Sequence, residues 1–408
     1  MLSNPLIHDW NQAEAPAPAR LISFDDETLR DGLQSPSVRD PDIGEKIRIL
    51  HLMEDLGIES ADIGLPGAGP RATEHARQLA REIASQRMAI RPNCAARTVI
   101  ADIEPIVRIS QEVGIAIEAA TFIGSSPIRQ YAEDWTLDRM LRACEEAVTY
   151  AVKNNLPVMF VTEDTVRSHP TTIKALYGAA LRCGARALVA CDTVGHATPE
   201  GVRALIRFVR KEIIEPTGEK IRLDWHGHSD RGLSVINSLA AAEAGADQLH
   251  GTALGIGERV GNTPLDLLLV NLKLMGWITR DLSKLRDYCL AVSEATGIPI
   301  PNNYPVFGVD AFRTATGVHA AAVVKALSKG DVELANVVYS GVPSHLFGMS
   351  QLIEIGPMSG KSNVVYWLKA HGIEPEESRV DRIFTAAKNS NRVLTEEEIL
   401  KAASDPRV

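Results

Sequence analysis

Between Leu21 and about Leu274, eight short runs of β-forming apolar residues recur at intervals of roughly 30 residues, each followed by a longer stretch with helical periodicity. The runs are Leu21–Asp26, Ile58–Gly64, Ile90–Ala95, Ile115–Phe122, Pro157–Thr162, Ala185–Asp192, Ile221–His226 and Ala246–Thr252. Eight βα units in about 250 residues fit a closed (β/α)8 TIM barrel better than a doubly wound open sheet, which usually has fewer strands and is the alternative this pattern leaves open. Polar and glycine-bearing residues follow the runs at Arg30–Gln34, Gly67–Pro70, Gly124–Ser126, Glu163–Arg167, Thr193–Thr198 and Gly255–Asn262. That placement is the C-terminal mouth of a barrel, where active sites are built.

A chain of 408 residues exceeds one barrel. The expected division is a loose leader over residues 1–20, the catalytic barrel over 21–296, a proline-rich linker over 297–309, and a small mostly helical accessory region over 310–408. The helix expected over Thr395–Ala403 opens on a capping box, Thr395 to Glu398. A hydrophobic fraction of 45% and a charged fraction of 23% are ordinary for a folded enzyme, while a formal net charge of -9 argues against a nucleic-acid surface. The five cysteines show no CxxC spacing, which suggests reduced thiols of a cytoplasmic protein rather than disulfides or thiolate zinc. The first 20 residues lack the pattern of a secretory signal, and no segment is apolar for the roughly 18 residues that span a bilayer.

The sharpest local signal is His226-Gly-His228 at the end of the seventh run. Side chains at i and i+2 of a strand share a face, so both imidazoles point into the mouth, as two metal ligands would. A pair of histidines satisfied by hydrogen bonds has the same spacing. Asp31, after the first run, is the carboxylate that would complete the site, leaving open positions for a chelating substrate. Taken alone, Asp31 could equally cap a helix, and Arg30 could be a structural ion-pair partner.

Three runs, Asp26-Glu-Thr-Leu-Arg-Asp-Gly-Leu-Gln34, His226-Gly-His-Ser-Asp-Arg-Gly232 and Gly251-Thr-Ala-Leu-Gly-Ile-Gly-Glu-Arg-Val-Gly-Asn262, resemble the 2-isopropylmalate, homocitrate and citramalate synthases of the DRE-TIM metallolyase group. Glu163-Asp164, Asp192-Thr-Val-Gly-His-Ala-Thr-Pro199 and Thr316-Gly-Val-His319 extend the resemblance in the expected order. It implies an acyltransferase of amino-acid biosynthesis (EC 2.3.3.-) that condenses acetyl-CoA with a 2-oxo acid. It also implies that Asp31, His226 and His228 hold a divalent ion (Mg2+, Mn2+ or Zn2+), with Asn262 beside it or in its outer shell. Arg30 would stabilise the developing alkoxide. Glu163 and His319 would move protons, with Tyr339 a weaker candidate; Thr193, and with it Gln34, would meet the oxo acid. A homodimer, with His319 reaching the partner's barrel, rests on the same resemblance.

Departures concern the oxo acid. Leu254 stands where many isopropylmalate synthases carry Asn, and His250 where they often carry Glu. Small residues (Ala61, Ala95, Ala96) leave room for a bulkier substrate such as phenylpyruvate, whereas Arg97 or Arg129 could meet a second acidic group. Benzylmalate, homocitrate, citramalate and phosphonomethylmalate synthases are the alternatives within the class. A lyase of 3-hydroxy-3-methylglutaryl-CoA or an aldolase is the alternative outside it, but the lyase's cysteine is missing from Gly255-Ile-Gly-Glu-Arg259. The leucine-sensing domain of longer relatives is expected to be absent.

Overall fold

The computed structural model describes residues 6–12 and 17–404; of the expected leader, residues 1–5 and 13–16 lie outside the described residues. Eight parallel strands close into a barrel: β1 (Ser23–Asp26), β2 (Ser60–Asp62), β3 (Arg91–Arg97), β4 (Glu118–Gly124), β5 (Val158–Glu163), β6 (Ala187–Asp192), β7 (Arg222–Gly227) and β8 (Gln248–Gly251). The ring is sealed by β1 on β8, with Asp25 opposite His250 and Asp26 opposite Gly251. The TIM barrel is therefore the fold, and the open sheet is excluded. The strands begin one to three residues later than the apolar runs. The leading residues Ile22, Ile58, Ile90, Ile117 and Ile221 are buried lead-ins that precede the ladder.

Strand parity divides the barrel into two environments. Phe24, Phe160, Leu188, Leu223, Trp225 and Leu249 are fully buried on the face turned to the helices. The opposite parity points inward, where such barrels are usually filled by branched aliphatic side chains. Here one sector of the interior is apolar, with Ala120, Met159, Ala187, Val189 and Cys191 packed together. The remainder carries charge: Asp25 and Glu27 from β1 and its end, Asp62 from β2, and Asp224 and His226 from β7, all buried.

The chain divides into two compact units, residues 1–280 with 287–299 and residues 281–286 with 300–408. The second unit contains helices Gly317–Ser328, Val332–Val337, Lys361–Ala370, Glu377–Lys388 and Glu396–Ser404, with two short parallel strands, Arg313–Thr314 and Leu352–Ile353. Its helices bury Ile355, Val364, Leu368, Ile383 and Ile399 in one apolar cluster. Thr395 and Glu398 exchange the two bonds of a capping box, Glu398 N–H to Thr395 Oγ1 at 3.3 Å and Thr395 N–H to Glu398 Oε2 at 2.8 Å. Among the described residues no helix is long and apolar enough to cross a membrane.

Candidate active site

The segment that leaves β1 turns at once. Arg30 N–H and Gly32 N–H both donate to the Glu27 carbonyl, so Arg30 and Asp31 are held over the mouth next to the strand end. The Arg30 guanidinium is forked onto three carboxylates: Nε to Asp62 at 2.6 Å, Nη1 to Asp31 at 2.8 Å and Nη2 to Glu27 at 3.0 Å. Burial works against every charge in this cluster; at Asp62 it outweighs Arg30 and raises the carboxyl to about 7, whereas at Asp31 and Glu27 the pairing prevails. Asp31 stays below the usual carboxylate range because Arg30 opposes its burial, and Glu27 stays well below because His226, Arg30 and His250 do so.

His226 and His228 lie on the inward parity of β7 and its extension, their ring centroids 5.0 Å apart. His226 Nδ1 lies 2.7 Å from Glu27 Oε2, while its Nε2 faces Asp31 Oδ2 across 4.0 Å. Burial, reinforced by His226, lowers His228 to about 4, so it is a neutral imidazole at neutral pH. Asp31, His226 and His228 each offer a ligand atom, all within 4.8 Å of one another. Two buried atoms beside them, His228 Nδ1 and Asn262 Oδ1, have no hydrogen-bond partner. Orphaned acceptors next to one carboxylate and two imidazoles fit a divalent ion. Glu27, His226 and His250 form a second such triple. There Glu27 is already engaged by Arg30 and by His250 Nδ1 at 3.1 Å, so the first triple is the better ligand set.

Asn262 is delivered by the glycine-rich loop after β8. Gly257 (φ 152°) and Gly261 (φ 91°) both need the left-handed region. A Cβ on Gly261 would collide with the Gly255 carbonyl oxygen, and one on Gly257 with the Asn262 side chain. Asn262 Nδ2 then donates to Asp31 Oδ1 at 2.9 Å and to the Ile256 carbonyl at 3.1 Å, which leaves its buried Oδ1 without a partner. Leu254 in this loop also takes the left-handed region (φ 57°), a conformation in which Asn is at home and Leu is strained.

A cavity of about 180 Å³ opens over these groups. Its lining is polar at Arg30, Asp31, Gln34, Glu163, Thr193, His226 and His228 and apolar at Leu65, Ala95, Ala120, Phe122, Met159, Val161 and Val189. Burial raises the Glu163 carboxyl, in spite of Arg129 at 3.7 Å. Arg167, four residues further on, is forked onto Asp164 at 2.7–3.0 Å and makes no ion pair with Glu163. Thr193 Oγ1 accepts the Asp164 N–H at 2.8 Å, which leaves its own proton free to be donated.

Arg97 is the site residue that the structure takes elsewhere. It shares the parity of Ala95, but at the very end of β3 its guanidinium turns back onto Asp102 at 2.7 and 2.9 Å, leaves 66% of its side chain exposed, and does not line the cavity. His319 and Tyr339 belong to the second unit, where their rings face each other at 4.2 Å and 30° and both are exposed.

Glu27, which stands inside the first motif, and His250, noted in the sequence only as a departure, both line the cavity, and Asp62 grips Arg30; none of the three was expected as a site residue. The available signal was period two: Asp25 with Glu27, Gln248 with His250, and Asp224 with His226 and His228 each put polar groups on one barrel face. His250 spans Glu27 Oε1 at 3.1 Å and Asp224 Oδ2 at 3.5 Å with its two ring nitrogens. Although burial opposes its charge, those carboxylates hold it well above the ordinary imidazole range.

The structure is a TIM barrel whose C-terminal mouth holds a carboxylate–imidazole cluster, a forked arginine and apolar side chains around one cavity. The chain belongs to the HMGL-like family, whose model matches residues 21–291. It is 32% identical over 382 residues to the homocitrate synthase AksA of Methanopyrus kandleri, covering 92% of this chain and 89% of that one. It is also 32% identical over 397 residues to the 2-isopropylmalate synthase of Pyrococcus furiosus, covering 93% and 75%. Among solved structures, the hydroxymethylglutaryl-CoA lyase of Pseudomonas aeruginosa superposes with a TM-score of 0.57 over 68% of this chain and 93% of that one, at 20% identity. That likeness shows the fold.

Proposed function

We propose that this chain condenses acetyl-CoA with a 2-oxo acid bearing an apolar side chain, as a 2-isopropylmalate synthase does. The observation that carries the reading is the mixed lining of the cavity, charged groups together with an apolar sector that includes Ala120, Met159, Val161 and Val189. A 2-oxo acid with an apolar side chain has the same mixed character. Asp31, His226 and His228 would hold a divalent ion, with Asn262 beside it, and such an ion supplies polarisation of the keto group and charge neutralisation at its oxygen.

The protein's own groups supply the rest. Arg30, pinned by three carboxylates, presents a fixed positive charge that needs no reorganisation when the keto oxygen becomes negative. Glu163, made more basic by burial, is suited to take a proton from the acetyl methyl group, a weak carbon acid. The new bond joins that methyl carbon to the keto carbon, the keto oxygen gains a proton, and water cleaves the thioester to free CoA. Thr193 and Gln34 offer a hydroxyl and an amide to the substrate carboxylate. The proton-transfer roles expected of His319 and Tyr339 rest on the family resemblance.

The apolar sector also supports a choice among oxo acids. The two arginines that line the cavity are engaged, Arg30 as described and Arg259 with Asp230 at 2.9 and 3.0 Å. A second carboxylate would thus be buried against Met159 and Val161 without a free cation, at a cost of several kcal/mol. With acetyl-CoA and Mg2+ or Mn2+, kcat/KM for 2-oxoisovalerate should exceed that for 2-oxoglutarate by about a hundredfold or more, read as release of CoA thiol. A preference for 2-oxoglutarate would overturn the apolar assignment in favour of a homocitrate synthase.

A further inference from the structure

We infer that Glu27 is a positioning residue for the metal ligand His226: it accepts a hydrogen bond from Nδ1–H and so commits Nε2 to the ion. This rests on the divalent-ion reading above.

An imidazole ligand has two nitrogens, and the one that binds is decided by what holds the other. On His226 the two sides differ. Nδ1 is 2.7 Å from Glu27 Oε2, whereas Nε2 looks across 4.0 Å at Asp31 Oδ2. The first gap is of hydrogen-bond length. The second is too long for one and leaves room for an ion between the two atoms, which would draw them about half an ångström closer to reach tetrahedral spacing. Glu27 Oε2 is buried and has no other hydrogen-bond partner. Its unmet acceptor capacity therefore points at the Nδ1 proton and at no other bond.

Glu27 is itself held. Its Oε1 accepts from Arg30 Nη2 at 3.0 Å and lies 3.1 Å from His250 Nδ1, and His250 is braced behind by Asp224 at 3.5 Å. Glu27 also follows β1 directly, with its N–H on the Gly251 carbonyl of β8 at 2.9 Å. The carboxylate that orients His226 thus comes from the strand next but one, and it is fixed by backbone, arginine and imidazole together. The competing use of the same atoms, a second ion bound by Glu27, His226 and His250, would have to displace Arg30 from Glu27 and break the His250 contact.

The test compares the intact wild-type chain with Glu27→Ala and the nearly isosteric Glu27→Gln. Mn2+ affinity is followed by electron paramagnetic resonance, and the exchangeable imidazole N–H signals are followed by proton NMR of the Co2+-loaded protein. Loss of an outer-shell carboxylate should weaken Mn2+ binding roughly 10- to 100-fold in Glu27→Ala. In wild type one hyperfine-shifted N–H should exchange slowly with solvent; it should vanish in Glu27→Ala and exchange at least about tenfold faster in Glu27→Gln, where a neutral amide oxygen replaces the carboxylate. Should the alanine variant not fold, the glutamine variant decides alone. Unchanged affinity and an unchanged N–H signal in both variants would overturn the inference and leave the metal reading intact. Two ions per wild-type chain falling to one in the variants would overturn it by making Glu27 a ligand. A wild-type chain that takes up no ion would overturn both.

Discussion

Replacing Asp31 with Ala should lower the rate of condensation by about a thousandfold or more and abolish measurable Mn2+ binding. Asp31 is the one carboxylate of the ligand set, and the only anionic donor there, so its loss leaves two imidazoles for an ion that must also bind substrate. The same change removes an acceptor from two donors at the site, Arg30 Nη1 and Asn262 Nδ2, which point at Asp31 from 2.8 and 2.9 Å. A thousandfold corresponds to about 4 kcal/mol, within what a Lewis acid contributes to charge stabilisation at a carbonyl. The measurements are kcat by thiol release and ion binding by electron paramagnetic resonance. A loss below tenfold with ion binding retained would remove Asp31 from the ligand set.

Replacing Arg30 should damage both catalysis and stability. Glu27, Asp31 and Asp62 are buried and share this one guanidinium, so Arg30→Ala leaves three carboxylates without their common partner. Breaking a buried pair from one side costs about 3–5 kcal/mol, which for a unit of this size lowers the melting temperature by on the order of 10 °C. The deficit carries a pH signature. Without Arg30 the folded-state pKa values of all three carboxyls rise, Asp62 from about 7 where burial already outweighs its partner, so the variant loses stability relative to wild type as pH rises through those values. The gap in melting temperature between wild type and variant should therefore be wider at pH 8 than at pH 5. Arg30→Lys keeps the charge but not the three-way fork, and should still lose about a hundredfold in kcat. A lysine variant with wild-type turnover would show that a point charge suffices.

The parts of this site that were legible in the sequence share one property: their signal is local. His226 and His228 announce themselves through two-residue spacing, and Asn262 through the glycines its loop requires. The eight strand runs, each with its helix, sufficed for the barrel because every βα unit repeats the same short pattern. Glu27 and His250 are different. They lie 223 residues apart in sequence and meet only because β8 closes on β1, so no window of the chain contains their contact. Asp62 is hidden in the same way, reaching Arg30 from the neighbouring strand. Arg97 was misplaced for a subtler reason. Parity points it inward, but at a strand end a long side chain is free to bend, and Asp102 in the following helix is a nearer partner than any substrate.

One measurement tests the central proposal most directly: identification of products after incubation with acetyl-CoA, 2-oxoisovalerate and Mg2+ or Mn2+. The account predicts 2-isopropylmalate and free CoA in equal amounts by mass spectrometry and thiol assay, dependent on both substrates, abolished by EDTA and restored by excess divalent ion. Cleavage of 3-hydroxy-3-methylglutaryl-CoA to acetyl-CoA and acetoacetate with no condensation product, or condensation undiminished in EDTA, would contradict it.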